Sequence, residues 1–194
     1  MRIFFRLLLF VLFGVTALSQ PMTAREMVRK GDTVVVPLSG EISPPLLLFL
    51  RRAVKAAENA GAGAIVFEMN TYGGRLDTAA DITGVLNRTT IPTYTFINTN
   101  AGSAGSLIAL ATRHIYMSPV SAIGAAAPVL STGGDLPATE KEKTLSYWSA
   151  LVRSSATRNG HNPDIGDAFM DKEKEVKIGD RVVHAKGSLL TLTA

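Results

Sequence analysis

Three β-branched or aromatic runs punctuate the first half of the chain. They lie at residues 33–38 (TVVVPL), 64–69 (AIVFEM) and 91–97 (IPTYTFI), and each predicts a buried strand. Between the first two, Leu47, Leu48, Leu50, Val54 and Ala57 recur at helical spacing, with basic residues and Glu58 on the other side. That pattern predicts a helix over residues 44–60, ended by Gly61 and Gly63. Residues 76–86 predict a second helix, and the apolar stretch 103–111 a third after a small-residue turn at 98–102. A short strand follows at 114–117 (HIYM), and residues 121–124 (SAIG) lead into a loop through Gly133 and Gly134. Residues 140–157 form a long amphipathic pattern and 164–170 a shorter one. Residues 176–178 and 182–184 flank Gly179-Asp180 as a small hairpin. Strand and helix alternate, which predicts an α/β fold with parallel βαβ units and helices packed on the sheet.

The N-terminus follows another pattern. Arg2 and Arg6 precede an apolar run over residues 7–15, and Ala17 and Ser19 place small residues ahead of Gln20. This is the layout of a secretory signal peptide over residues 1–19. The apolar run is short of the roughly 20 residues a transmembrane helix needs. Residues 20–31 form a polar lead-in, and the body of the protein is expected outside the cytoplasm. The chain closes on an apolar stretch, LLTLTA, which reads as the edge of a longer protein.

Composition changes the picture little. With 46% hydrophobic and 19% charged residues in 194, the chain has room for one core-forming domain. Its net charge is +4, and without the leader 18 basic residues face 16 acidic ones. No basic stripe is interleaved with aromatics, so nucleic acid is not an expected partner. The absence of cysteine excludes disulfides, thiol nucleophiles and thiolate metal sites.

In parallel α/β folds, ligands gather at the C-terminal ends of strands. Two glycine-rich turns fall there: Gly73-Gly74, and Gly102-Ser103-Ala104-Gly105. A serine at a strand-to-helix turn sits beside free amides that can hold an oxyanion. An ordinary N-cap serine is common, and spacing alone favours that reading. His114, His161 and His184 form no evident triad with it. A lysine can replace histidine as base where its surroundings favour the neutral form. Lys141 and Lys143 stand at the head of the long helix, where the helix dipole disfavours positive charge. No metal-ligand spacing, P-loop or dinucleotide motif is present.

Three segments together resemble one family. The run AIVFEMNTYGGRLDTAADI resembles the D-T-P-G-G segment of Clp-like serine proteases. AGSAGSLIALA resembles their nucleophile segment, and SAIGAAAPV the S-I-G-A-x-x-P segment beyond it. Their order and spacing are similar to those of the membrane-bound NfeD (nodulation formation efficiency D) proteases, over residues 32–194. The resemblance implies a Clp-protease/crotonase-like fold of repeated ββα units in a spiral. It also implies Ser103 as nucleophile, an oxyanion hole from the amides of Gly73 or Gly74 and of Ala104, and no cofactor. The family's base is a lysine after the loop. Ungapped alignment of TLSYWSALVRSSA puts it at Lys143, with Lys141 as the alternative. Family members are typically homodimers that cleave hydrophobic segments, with stomatin-like membrane proteins as partners. Asn70 and Tyr72 depart from the family's Asp and Pro, and Tyr72 is expected to narrow the substrate groove.

Three other readings compete. A crotonase-type acyl-CoA enzyme shares the fold, but an exported protein does not meet CoA. A non-catalytic membrane-protein scaffold would keep the fold without the chemistry. A signal peptide peptidase uses a similar serine–lysine pair but usually draws its lysine from an earlier domain.

Overall fold

The computed structural model describes residues 28–129 and 134–194. The leader expected at residues 1–19 lies outside them. The chain runs β1 (Thr33–Ser39), α1 (Pro44–Ala60), β2 (Ala64–Thr71), α2 (Leu76–Arg88), β3 (Thr93–Gly102) and α3 (Ala104–Ala109). It continues as β4 (His114–Met117), β5 (Ala122–Gly124), α4 (Ala138–Arg158), α5 (Pro163–Met170), β6 (Val176–Ile178), β7 (Arg181–His184) and β8 (Thr191–Thr193).

The first three strands pair in parallel, with α1 and α2 as crossovers. Strand β3 is shared by two parallel neighbours. Its first half, Tyr94 to Ile97, pairs β4, and its last residues, Asn100 to Gly102, pair β5. Strand β8 closes the far edge antiparallel to β5. The fold is a mixed α/β arrangement on a mostly parallel sheet, as the alternation of elements predicts.

Alternation along each strand sorts the side chains. Val36, Leu38, Ile65, Phe67, Met69 and Ile97 face the helices and form the core with Leu50, Val54, Ile82 and Ile108. The opposite face leaves Val35, Phe96 and Tyr116 exposed.

Three strands, β3, β5 and β8, depart from the sequence reading. Strand β3 does not stop at Ile97 but runs on through Gly102. Met69 pairs Ile97 and Thr71 pairs Ala101, so Asn70 alone faces Asn98, Thr99 and Asn100. The bulge is held by side chains: Asn98 Nδ2 donates to Glu68 Oε1 at 2.9 Å and Asn100 Nδ2 to Asn70 Oδ1 at 3.1 Å. Residues that look like turn formers are therefore recruited into a ladder by partners on β2. The short run at residues 122–124 is also a strand, because both its edges are covered.

Helices α4 and α5 pack through Gly166. A Cβ there would lie 2.4 Å from Val152 Cγ1 and 3.2 Å from Leu110 Cδ1. Gly166→Ala is expected to destabilise the fold by about 1–3 kcal/mol through overpacking. At roughly 2–4 °C per kcal/mol, thermal unfolding would register this, and adding Val152→Ala should recover part of the loss.

Candidate active site

Ser103 occupies the joint between β3 and α3 with φ 49° and ψ −126°. A side chain at positive φ costs on the order of 1–3 kcal/mol and persists only where its surroundings fix it. Here both peptide groups are fixed. The Ser103 amide donates to the Gly124 carbonyl at 2.9 Å. The Ser103 carbonyl accepts from the Ser106 amide at 3.0 Å and from Ser106 Oγ at 2.7 Å. The Ser103 hydroxyl makes no capping bond to α3. The ordinary N-cap reading therefore does not describe this serine. Its geometry is that of a sharp strand-to-helix elbow that projects Oγ.

The glycine turn lies directly against it. A Cβ on Gly73 (φ 110°) would fall 2.5 Å from Ser103 Cβ, so the close approach requires glycine. Ile42 fixes the turn from the other side. Its amide donates to the Gly73 carbonyl at 2.9 Å, and its carbonyl accepts from the Arg75 amide at 2.9 Å. The two glycines differ in one respect. The Gly73 amide donates to Thr71 Oγ1 at 3.0 Å, whereas the Gly74 amide has no acceptor among the described residues. The Ala104 amide, first in α3, is likewise without an acceptor there.

Ser103 and Gly74 open onto one cleft of about 450 Å³. Glu41, Arg75, Leu76 and Asp77 line one side of it, and Ala127, Pro128 and Val129 the other. Arg75 and Asp77 form an ion pair at its rim. The hydrogen bond from Arg75 holds the Asp77 carboxyl below the usual carboxylate range. Tyr72 does not narrow this cleft. It is 83% exposed and lines the neighbouring depression with Ser39, Gly40 and Asn70.

Lys141 and Lys143 both fall in the first turns of α4 but on different faces. Lys141 is half-buried, on the stripe of Leu145, Trp148 and Val152 that packs inward. Lys143 is exposed, on the side of Tyr147. Neither is among the residues that line the cleft. The histidines are occupied elsewhere. His114 stacks on Tyr94, His161 Nε2 bonds the Thr112 carbonyl at 2.7 Å, and His184 Nε2 the Ser188 carbonyl at 3.0 Å. Among the described residues no cluster of His, Cys, Asp or Glu could hold a metal ion. Sequence reasoning gave no role to Gly124 or Thr71. The SAIG and NTYGG motifs carried both, but only their contacts with Ser103 and Gly73 show what they hold in place.

The chain is similar to several known proteins. The chain is 33% identical over 98% of its length to the membrane protein NfeD1b of Bacillus subtilis, and covers 41% of that relative. It is 30% identical over 80% of its length to the membrane-bound protease PH1510 of Pyrococcus horikoshii, and covers 35% of it. It therefore spans less than half of either. A solved structure of 1510-N, a membrane-bound stomatin-specific protease, is a lysine-to-alanine mutant in complex with a substrate peptide. It superposes with a TM-score of 0.69 at 28% identity, over 84% of this chain and 69% of that one. ClpP1 from Listeria monocytogenes shares the fold at a TM-score of 0.57 and 18% identity, over 69% of this chain and 76% of that one. The fold is thus Clp protease-like. The family model described as NfeD1b, N-terminal domain, matches residues 32–194, and the chain belongs to that family.

Proposed function

We propose that residues 32–194 form a serine endopeptidase domain working through a Ser–Lys dyad. The observation that carries this reading is the strained backbone of Ser103, which aims an uncapped hydroxyl into a cleft beside two amides that have no acceptor among the described residues. In the proposed reaction Ser103 Oγ attacks a peptide carbonyl and passes its proton to the neutral lysine. The lysine then gives the proton to the leaving amine. The Gly74 and Ala104 amides hold the oxyanion, and water activated by the lysine releases the acyl-enzyme. No step calls for a metal or cofactor.

The resemblance to the family selects Lys143, and the helix face turns Lys141 inward. Lys143 is the proposed base. Substrates are hydrophobic segments of membrane proteins, and a stomatin-like protein is the proposed partner. This follows from the stomatin specificity of the 1510-N protease and from the leader pattern in the sequence. The site would then lie on the exported side of the membrane, in a membrane-associated homodimer. Among the described residues no helix is long and apolar enough to cross a membrane, so the proposed association relies on other segments or partners.

One observation favours a second reading, a non-catalytic scaffold for membrane proteins: among the described residues no lysine lines the Ser103 cleft. Cleavage of an apolar peptide by the purified protein separates the two. Ser103→Ala is expected to lower turnover about 10³-fold or more. Lys143→Ala should do the same, while Lys141→Ala leaves most activity. The reverse result for the lysines moves the base to Lys141. Activity that survives Ser103→Ala refutes the serine mechanism, and an inactive wild type favours the scaffold.

A further inference from the structure

One buried side chain joins the glycine turn to the serine elbow and has no role in the reading above. Thr71 ends β2 and is 1% exposed. Its hydroxyl donates to the Gly40 carbonyl at 2.5 Å and accepts from the Gly73 amide at 3.0 Å. Its methyl lies against the first turn of α3, where a Cβ on Gly105 would sit 2.5 Å from Thr71 Cγ2. Thr71 thus touches the β1–α1 connection, the glycine turn and the helix after the nucleophile. It also stands where the pairing of β2 with β3 resumes beyond the bulge, opposite Ala101.

The two glycine amides therefore have different fates. An N–H already bonded within the fold is not available to an oxyanion, and a buried N–H without a partner is costly. By accepting from Gly73, Thr71 satisfies the amide that points inward. The Gly74 amide is left as the donor facing the cleft. Gly74 cannot turn away, because its φ of 152° and its approach to Ile42 fix it; a Cβ there would fall 2.5 Å from the Ile42 carbonyl oxygen.

We infer that Thr71 is the positioning residue of the oxyanion hole: its hydroxyl sequesters the Gly73 amide, and its methyl sets the spacing of α3, so that the Gly74 and Ala104 amides converge on one oxygen. The inference rests on the proposed role of Ser103 as nucleophile. It concerns how the hole is held and not which residue attacks.

A fluorophosphonate probe tests it without any known substrate. Ser103 Oγ bonds to phosphorus, the P–F bond breaks and fluoride leaves, and the hydroxyl proton passes to the base. Negative charge gathers on the phosphoryl oxygen in the hole. Thr71→Val keeps the shape and removes the hydroxyl, and is expected to slow labelling about 10- to 100-fold, below or near the loss of a full oxyanion donor. Thr71→Ser keeps the hydroxyl but gives up the methyl spacer, and should label at a rate between those of Thr71→Val and the wild type. With a cleavable peptide, the loss in Thr71→Val should fall in kcat with KM unchanged. A Thr71→Val protein that labels like wild type overturns the inference.

A second pair of variants covers the case in which Thr71→Val does not fold. Gly105→Ala crowds the Thr71 methyl and should slow labelling. Adding Thr71→Ser removes that methyl and should restore much of the rate, whereas additive slowing overturns the inference. A wild type that resists the probe defeats the serine reading and this inference with it. A labelled wild type with an indifferent Thr71→Val removes only the role given to Thr71.

Discussion

The hydrogen bond from the Ser103 amide to the Gly124 carbonyl is the constraint on which the site depends. A serine at φ 49° relaxes unless both of its peptide groups are tied. The tie comes from β5, and β5 reaches that place only because β3 continues past Ile97 to pair with it. That continuation needs the bulge at residues 98–100, which the Asn98–Glu68 and Asn100–Asn70 bonds stabilise. A polar ladder between two central strands, near their C-terminal ends, thus sets the backbone angle of a residue several positions along the chain.

The glycine turn supplies the complementary constraint. Gly73 comes so close to Ser103 that no side chain fits between them, and Gly74 is wedged against Ile42. Two segments from different crossovers therefore share one small volume. Their amides converge because the parallel sheet brings the C-terminal ends of β2 and β3 side by side. The chemistry proposed for the domain is a local consequence of that topology.

Much of this was legible in the sequence. Apolar periodicity placed α1 at its observed bounds and β2 within two residues, and the two glycine turns marked the end of the sheet that carries the cleft. Asn98 to Gly102 read as a turn because Asn, Thr and Gly favour turns locally; cross-strand partners override that preference, and no local pattern encodes them. Strand β8 was equally hidden, since three residues carry no usable period. The faces of Lys141 and Lys143 were within reach, because the spacing of Lys141, Leu145, Trp148 and Val152 is written in the sequence. The departure of Tyr72 from the groove was not, because it depends on which way the glycine turn faces.

The same tie bears on the order in which the protein is made. Strand β5 holds its position against β8, and the Leu190 carbonyl accepts from the Ala125 amide at 3.0 Å while the Leu190 amide donates to the Ala168 carbonyl at 2.9 Å. Ser103 leaves the ribosome long before Leu190 does. Until the later segment arrives, Gly124 has no partner strand on its outer edge, and the elbow is held from one side alone. The backbone geometry of Ser103 is thus completed only when a segment almost ninety positions further along the chain joins the sheet.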